Sequence, residues 1–185
     1  VTSGKGGVGK TTVTALLGRK LAMLGYKVVL VDGDVGLNNL DVVMGIEHKV
    51  VYDVSDVLDG RCKLSQALVV DSESGVSVLP SSSRKLNVSP QAFRGIIDNM
   101  RGVDFVIIDC PAGIDEGFHR AVSSANEAIV VASLDISSIT ITGIIPAELR
   151  VLIISILTNP FFVIKFNHAL YRSHYHHPHK VEAKP

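Results

Sequence analysis

Near its start the chain reads Gly4-Lys5-Gly6-Gly7-Val8-Gly9-Lys10-Thr11-Thr12, and this glycine run closed by Lys-Thr limits the fold more than any other stretch. It satisfies G-x-x-x-x-G-K-[ST] from Gly4 to Thr11. Glycines carry no Cβ, so successive backbone N–H groups can converge on phosphate oxygens. A helix that opens directly after such a loop aims its positive N-terminus at the same anion. In that arrangement Lys10 reaches the β- and γ-phosphates, the Thr11 hydroxyl ligates Mg²⁺, and Thr12 lies at the α-phosphate. The same spelling also arises in glycine-rich turns that merely precede a helix. Context decides here, because a helical pattern follows at once and a V-V-L-V-D strand comes next.

The rest of the chain agrees with an open sheet. Val28–Val31, Phe105–Ile108 and Ala128–Val131 are short, β-rich and apolar on both faces, as parallel strands covered on both sides are. Val76–Leu79 is a further strand, ended by Pro80. Between them lie helical patterns. From Lys10 to Leu24, the residues Val13, Leu16, Leu17, Leu21 and Leu24 fall near one face, and Gly25 supplies a stop. Ser89-Pro90 reads as a cap and first-turn proline, opening a helix to about Arg101. Asp115 to Asn126 places Phe118, Ala121, Val122 and Ala125 on one stripe. Alternating strands and helices predict an α/β fold: a doubly wound, mostly parallel, Rossmann-like three-layer P-loop NTPase sheet.

In such sheets ligands bind at the carboxyl ends of the strands. Asp32-Gly33-Asp34 ends one strand and Asp109 ends another. An aspartate in that place can hold Mg²⁺ through water or orient an attacking water. Any one of them could equally be a turn former or helix cap. Three together, in register with the phosphate loop, favour a catalytic set. Asp109-Cys110-Pro111-Ala112-Gly113 reads as a Walker B aspartate followed by a switch loop. Cys110 reads as a packing residue, and His48 and His119 as surface residues.

Lys5, just after the first glycine, makes the loop similar to the deviant Walker A of the MinD/ParA ATPase family. Asp34 to Asp41, D-V-G-L-N-N-L-D, followed by V-V-M-G, resembles the first switch of the MinD branch, and Asp109 to Gly117, D-C-P-A-G-I-D-E-G, resembles its second. Val51-Tyr52-Asp53, Gly60-Arg61-Cys62 and Gln66-Ala67-Leu68 continue the likeness, which covers about three quarters of the chain. The resemblance implies an ATP-hydrolysing protein that dimerises around ATP and positions the cell-division septum. It assigns catalytic roles to Lys5, Lys10 and Asp34. It places the nucleotide against Gly4, Lys5, Gly6, Gly7, Val8, Gly9, Lys10, Thr11, Thr12 and Asn39, and Mg²⁺ on Thr11 and Asp109. Lys5 would reach across to the partner's nucleotide, Asp34 would orient water and Asn39 would sense the γ-phosphate side. Implied partners are a second copy, a MinC-like inhibitor of FtsZ assembly and a MinE-like activator. The implied location is cytoplasmic with peripheral inner-membrane association, or the plastid stroma. Asn38 departs from the resemblance, since the family usually has arginine there.

After Ser138 the resemblance ends. The expected organisation is therefore a P-loop ATPase domain over residues 1–140, lacking most of its first strand because only three residues precede Gly4, and an unrecognised tail over 141–185. In the tail the uncharged run Val151 to Ile164 holds 14 residues around Pro160, too few for the roughly 20 that span a bilayer, and reads as a buried strand pair or as unfolded sequence. His168, His174, His176, His177 and His179 form a cluster that reads as a solvated end rather than a metal site. The membrane-binding amphipathic helix of the family is not evident. Lysine plus arginine equals aspartate plus glutamate at 18 each, so no nucleic-acid partner is expected and a ParA-type partitioning role is disfavoured. Two cysteines fit a reducing compartment. The remaining alternative is a nucleotide-binding or interaction module without turnover.

Overall fold

The computed structural model describes residues 1–36, 39–82, 84, 87–132, 144–145 and, as backbone, 150–155 and 162–166. Helix α1 spans Lys10–Met23, α2 Leu40–Met44, α3 Val54–Leu58, α4 Leu64–Ala67, α5 Pro90–Asp98 and α6 Glu116–Ser123. The strands are β1 Val28–Asp32, β2 Val69–Val70, β3 Ser77–Leu79, β4 Phe105–Asp109, β5 Glu127–Ala132, β6 Arg150–Ser155 and β7 Phe162–Phe166.

Strand order is β2-β3-β1-β4 in one sheet and β5-β6-β7 in the other. β1 runs parallel to β3 and β4, and β5 parallel to β6; the β2–β3 and β6–β7 pairs are antiparallel. Residues Val1–Ser3 lie between the two groups. Val1 donates its amino group to Ile108 O at 2.6 Å and accepts from Cys110 N at 2.9 Å. Thr2 donates to Ile129 O and accepts from Val131 N, both at 2.8 Å, in a parallel bridge with Val130. These few residues connect β4 to β5.

Both faces of β1 are covered, which explains its unbroken apolar sequence. Val29 and Val31 pack with Phe93 and Ile96 of α5, Ala121 of α6 and Val54 of α3. Val28 and Leu30 point the other way, toward Ala15 of α1 and Leu40 and Met44 of α2. A third cluster joins Phe118 and Val122 of α6 to Ala128 and Val130 of β5. The result is the helix–sheet–helix layering expected from the alternation of elements.

The caps follow the sequence. Ser89 accepts from Ala92 N ahead of Pro90, and Asp115 accepts from Gly117 N and Phe118 N at the start of α6. The apolar run of the tail forms the strand pair β6–β7 in its described backbone. The expected boundary at residue 140 and the histidine cluster lie outside the described residues, as do Asn38 and Ser138.

Helix α1 is turned differently from the leucine pattern. Leu16 and Leu24 are each 62% exposed, while Thr14, Ala15 and Gly18 face the sheet. The reason is distance. A Cβ on Gly18 would stand 2.4 Å from Leu30 Cδ2, so α1 lies against β1 through its smallest residues.

Candidate nucleotide site

The loop from Gly4 to Gly9 connects the Val1–Ser3 segment to α1. Gly7 and Gly9 hold φ of 75° and 90°, conformations that side chains rarely adopt, and Gly9 is the residue at which α1 begins. Ser3 Oγ donates to Lys5 O at 2.6 Å and steadies the entry to the turn. The turn thus presents backbone N–H groups and the N-terminus of a 14-residue helix in one place. Gly6, Gly7, Thr12 and Lys5 are exposed, and Gly4, Val8, Gly9 and Thr11 are half-buried.

Lys10 is buried, at 8% exposure. Burial pulls its ammonium below the usual lysine range, against the attraction of Asp109, Cys110 and Asp34. Parallel β1 and β4 end side by side, with Asp32 opposite Asp109, and this register brings the strand-end carboxylates toward Lys10. Gly33 N donates to Asp109 O at 2.9 Å and ties the two strand ends together.

Asp109 is almost fully buried, and burial raises its carboxyl group above the ordinary range. Hydrogen bonds from Thr11 and Thr14, the Val1 amino group and Lys10 work in the opposite direction. Thr14 Oγ1 lies 3.2 Å from Asp109 Oδ1 and 3.0 Å from Lys10 O. Asp34 is also raised, first by burial and then by Asp109 and Asp115, with Lys10 and Arg120 opposing. Ser81 Oγ donates to Asp34 O at 2.8 Å, and Gly36 N to Ser82 O at 2.9 Å, so the loop after β1 leans on the segment after β3.

Lys10, Thr11, Asp34 and Asp109 therefore share one electrostatic neighbourhood. Lys5 and Asn39 are exposed at its edge. Asn39 enters the hydrogen-bond network through its backbone, donating to Asp32 Oδ2 at 3.3 Å. Two further polar residues matter here: Asp32, the third of the strand-end aspartates, and Thr14, which the sequence did not single out. Asp32 accepts from Asp34 N at 3.0 Å, Asn39 N at 3.3 Å and Leu40 N at 3.2 Å, holding both ends of the loop that carries Asp34. Burial pushes its carboxyl up to about 7. Thr14 is the other; its place one turn after Lys10 was the available signal.

The donor set suits a hard cation carried with phosphates. A threonine hydroxyl and a carboxylate provide oxygen ligands, the type Mg²⁺ takes, usually with substrate phosphates and water completing the shell. Among the described residues no group of three or more His, Cys, Asp or Glu forms a cage. The arrangement thus offers a phosphate cradle, a buried cation, and two carboxylates whose repulsion a metal would relieve.

The family profile "CobQ/CobB/MinD/ParA nucleotide binding domain" matches residues 1–161. The septum site-determining protein MinD of Bacillus subtilis is 50% identical over 144 residues, covering 75% of this chain and 54% of that protein. The structure of MinD from Pyrococcus horikoshii with Mg-ADP superposes with a TM-score of 0.73 at 38% identity, over 82% of this chain and 65% of that one. The MinC:MinD complex of Aquifex aeolicus gives 0.70 at 37% identity, over 82% and 66%. The chain spans about half the length of the curated relatives it matches.

Proposed function

The chain belongs to the CobQ/CobB/MinD/ParA nucleotide-binding family, and from that membership we propose that it binds ATP with Mg²⁺ and hydrolyses it within an ATP-dependent dimer that helps place the division septum. The observation that carries the reading is the buried Lys10 at the start of α1, set among Asp109 and Asp34 at the ends of two parallel strands. MinD proteins at about half identity and a MinD structure holding Mg-ADP support the choice of nucleotide and metal.

Each residue then has a distinct task. The N–H groups of Gly4 to Gly9 and the N-terminus of α1 bind the phosphate oxygens. Lys10 neutralises the β- and γ-phosphates, and its burial strengthens that attraction. Thr11 and Asp109 would hold Mg²⁺, which would supply positive charge to the phosphate groups. Asp34 orients the attacking water, and its raised proton affinity makes it a better acceptor for the water's proton. Thr12 contacts the α-phosphate, and Asn39 lies on the γ-phosphate side.

Lys5 is exposed, which suits a lysine that acts on a second subunit's nucleotide. A partner resembling MinC would recognise the dimer, as the Aquifex complex supports, and a MinE-like partner would stimulate turnover. Peripheral membrane association in the cytoplasm is proposed from the likeness to MinD proteins; no helix among the described residues is long and apolar enough to cross a membrane.

Two substitutions test the scheme. Lys10→Ala abolishes nucleotide binding measured by fluorescent ATP titration. Lys5→Ala leaves that binding intact but removes dimerisation in sedimentation and removes hydrolysis. Hydrolysis unchanged in Lys5→Ala would refute the cross-subunit role.

A further inference from the structure

Arg120 stands within α6 with only 8% of its surface exposed, and the proposed chemistry gives it no task. An arginine removed from water usually meets a carboxylate. Arg120 forms no ion pair among the described residues, and its Nε has no hydrogen-bond partner there. Its Nη1 donates instead to Val88 O at 3.0 Å, just ahead of α5. Gly117 makes room for this placement. Arg120 Nη2 and Asp115 Oδ1 each lie 3.4 Å from where a Cβ on Gly117 would stand, and Pro111 Cγ lies 2.5 Å from it. Helix α6 thus sits close against Pro111, in the loop after β4, and is fastened to Val88.

The chain between β3 and α5 also grips the loop after β1. Ser81, fully buried, donates its hydroxyl to Asp34 O at 2.8 Å, and Ser82 O accepts from Gly36 N at 2.9 Å. Pro80 O accepts from Val54 N at 3.1 Å and Arg84 Nη2 donates to Ser55 Oγ at 2.7 Å, so α3 backs this end. Leu79, Val54 and Val88 share one core cluster with Ala121 of α6. Close-packed interiors transmit strain, so a displacement at Val88 is felt at Ser81. Charge points the same way: burial, Asp109 and Asp115 raise Asp34, and Lys10 and Arg120 oppose them.

We propose that Pro80, Ser81, Ser82 and Val88 form a brace that joins the loop carrying Asp34 to helix α6, with Ser81 and Arg120 as positioning residues for hydrolysis. The brace explains an unpaired cation kept in the interior, where an apolar side chain of similar volume is often no less stable. It deepens the proposed function, and only its kinetic consequence rests on the role given there to Asp34.

The test compares the whole chain with Ser81→Ala and Arg120→Met. Without nucleotide, each substitution speeds amide exchange at Gly36 about fivefold, while Leu30 within β1 keeps its rate. Arg120 makes no hydrogen bond to Asp34 or Gly36, so its effect there must pass through Val88. With ATP and Mg²⁺, each lowers kcat about fivefold at unchanged KM, and the double variant falls no further than the slower single one. An unchanged Gly36 rate in Arg120→Met overturns the brace. Equal speeding at Gly36 and Leu30 marks general loosening and overturns it too, as do additive losses of kcat in the double variant. Absence of hydrolysis by the unaltered chain refutes the role of Asp34 instead, and the exchange rates still decide the brace. If Arg120→Met does not fold, Ser81→Ala carries the test from the other end, read at the Arg120 guanidinium protons. Their exchange quickens if the brace exists, and an unchanged rate overturns it.

Discussion

Asp32 shows how a single residue can shape the candidate site through the backbone around it. Its two carboxyl oxygens hold three backbone N–H groups of the loop that carries Asp34, yet burial raises the group to about 7. The unfolded chain releases this proton near the ordinary value of 3.8. Between those values the folded state keeps a proton that the unfolded state has lost, so rising pH favours unfolding. Asp32 therefore stabilises the fold most in acid, and its contribution disappears as pH rises through about 7. Urea titrations should show about 2 kcal/mol lost between pH 5 and 7 from this group. Asp32→Asn should lose that part of the slope, and an unchanged slope would place the titration elsewhere. Thr14 makes a second residue-scale case. Thr14→Val removes the hydroxyl that Asp109 accepts, which costs about 1 kcal/mol in denaturant unfolding, while Thr14→Ser retains it. The loop glycines and Lys10 were legible in the sequence because phosphate chemistry favours those types at that spacing, whereas Lys5 stood out only through the family resemblance. Asp32 was legible as a strand-end aspartate but its backbone-holding role was not, nor was Thr14, because those contacts reach seven, eight and ninety-five positions away.

Among the elements, α1 departs most instructively from its sequence pattern. Leucine spacing pointed to one face, but the helix presents Thr14, Ala15 and Gly18 to β1 and leaves Leu16 and Leu24 exposed. Close approach of a helix to a strand selects small residues, and no hydrophobic count registers that. Gly18→Ala should gain about 1 kcal/mol of helix propensity yet lose about 1–3 kcal/mol to overpacking against Leu30. The thermal midpoint should fall, and a rise would mean that Leu30 can move aside. Strands β1, β4 and β5 were legible because they are covered on both faces and read as unbroken apolar runs. Helices α2, α3 and α4 were not, since at four or five residues they are far shorter than the roughly 11-residue window over which a helical period shows. The capping box of α3, in which Asp53 and Asp56 bond each other's backbone, was the local signal available.

At the scale of the whole molecule, the layered α/β architecture followed from alternating elements, whereas strand order did not. The placement of Val1–Ser3 between β4 and β5 depends on pairings more than a hundred residues apart, which no local pattern encodes. A dimer closed around two nucleotides has its own signature at this scale. Hydrolysis per molecule should rise with protein concentration and then level, and a rate independent of concentration would favour a monomeric enzyme. In the proposed function the glycine loop and Lys10 hold a triphosphate whose magnesium rests on Thr11 and Asp109. Calorimetric titration of the chain with ATP and Mg²⁺, beside its Lys10→Ala variant, tests this most directly. The expected result is a saturable isotherm that weakens when Mg²⁺ is withheld and vanishes in Lys10→Ala. No heat from the unaltered chain, or equal binding by both proteins, would contradict it.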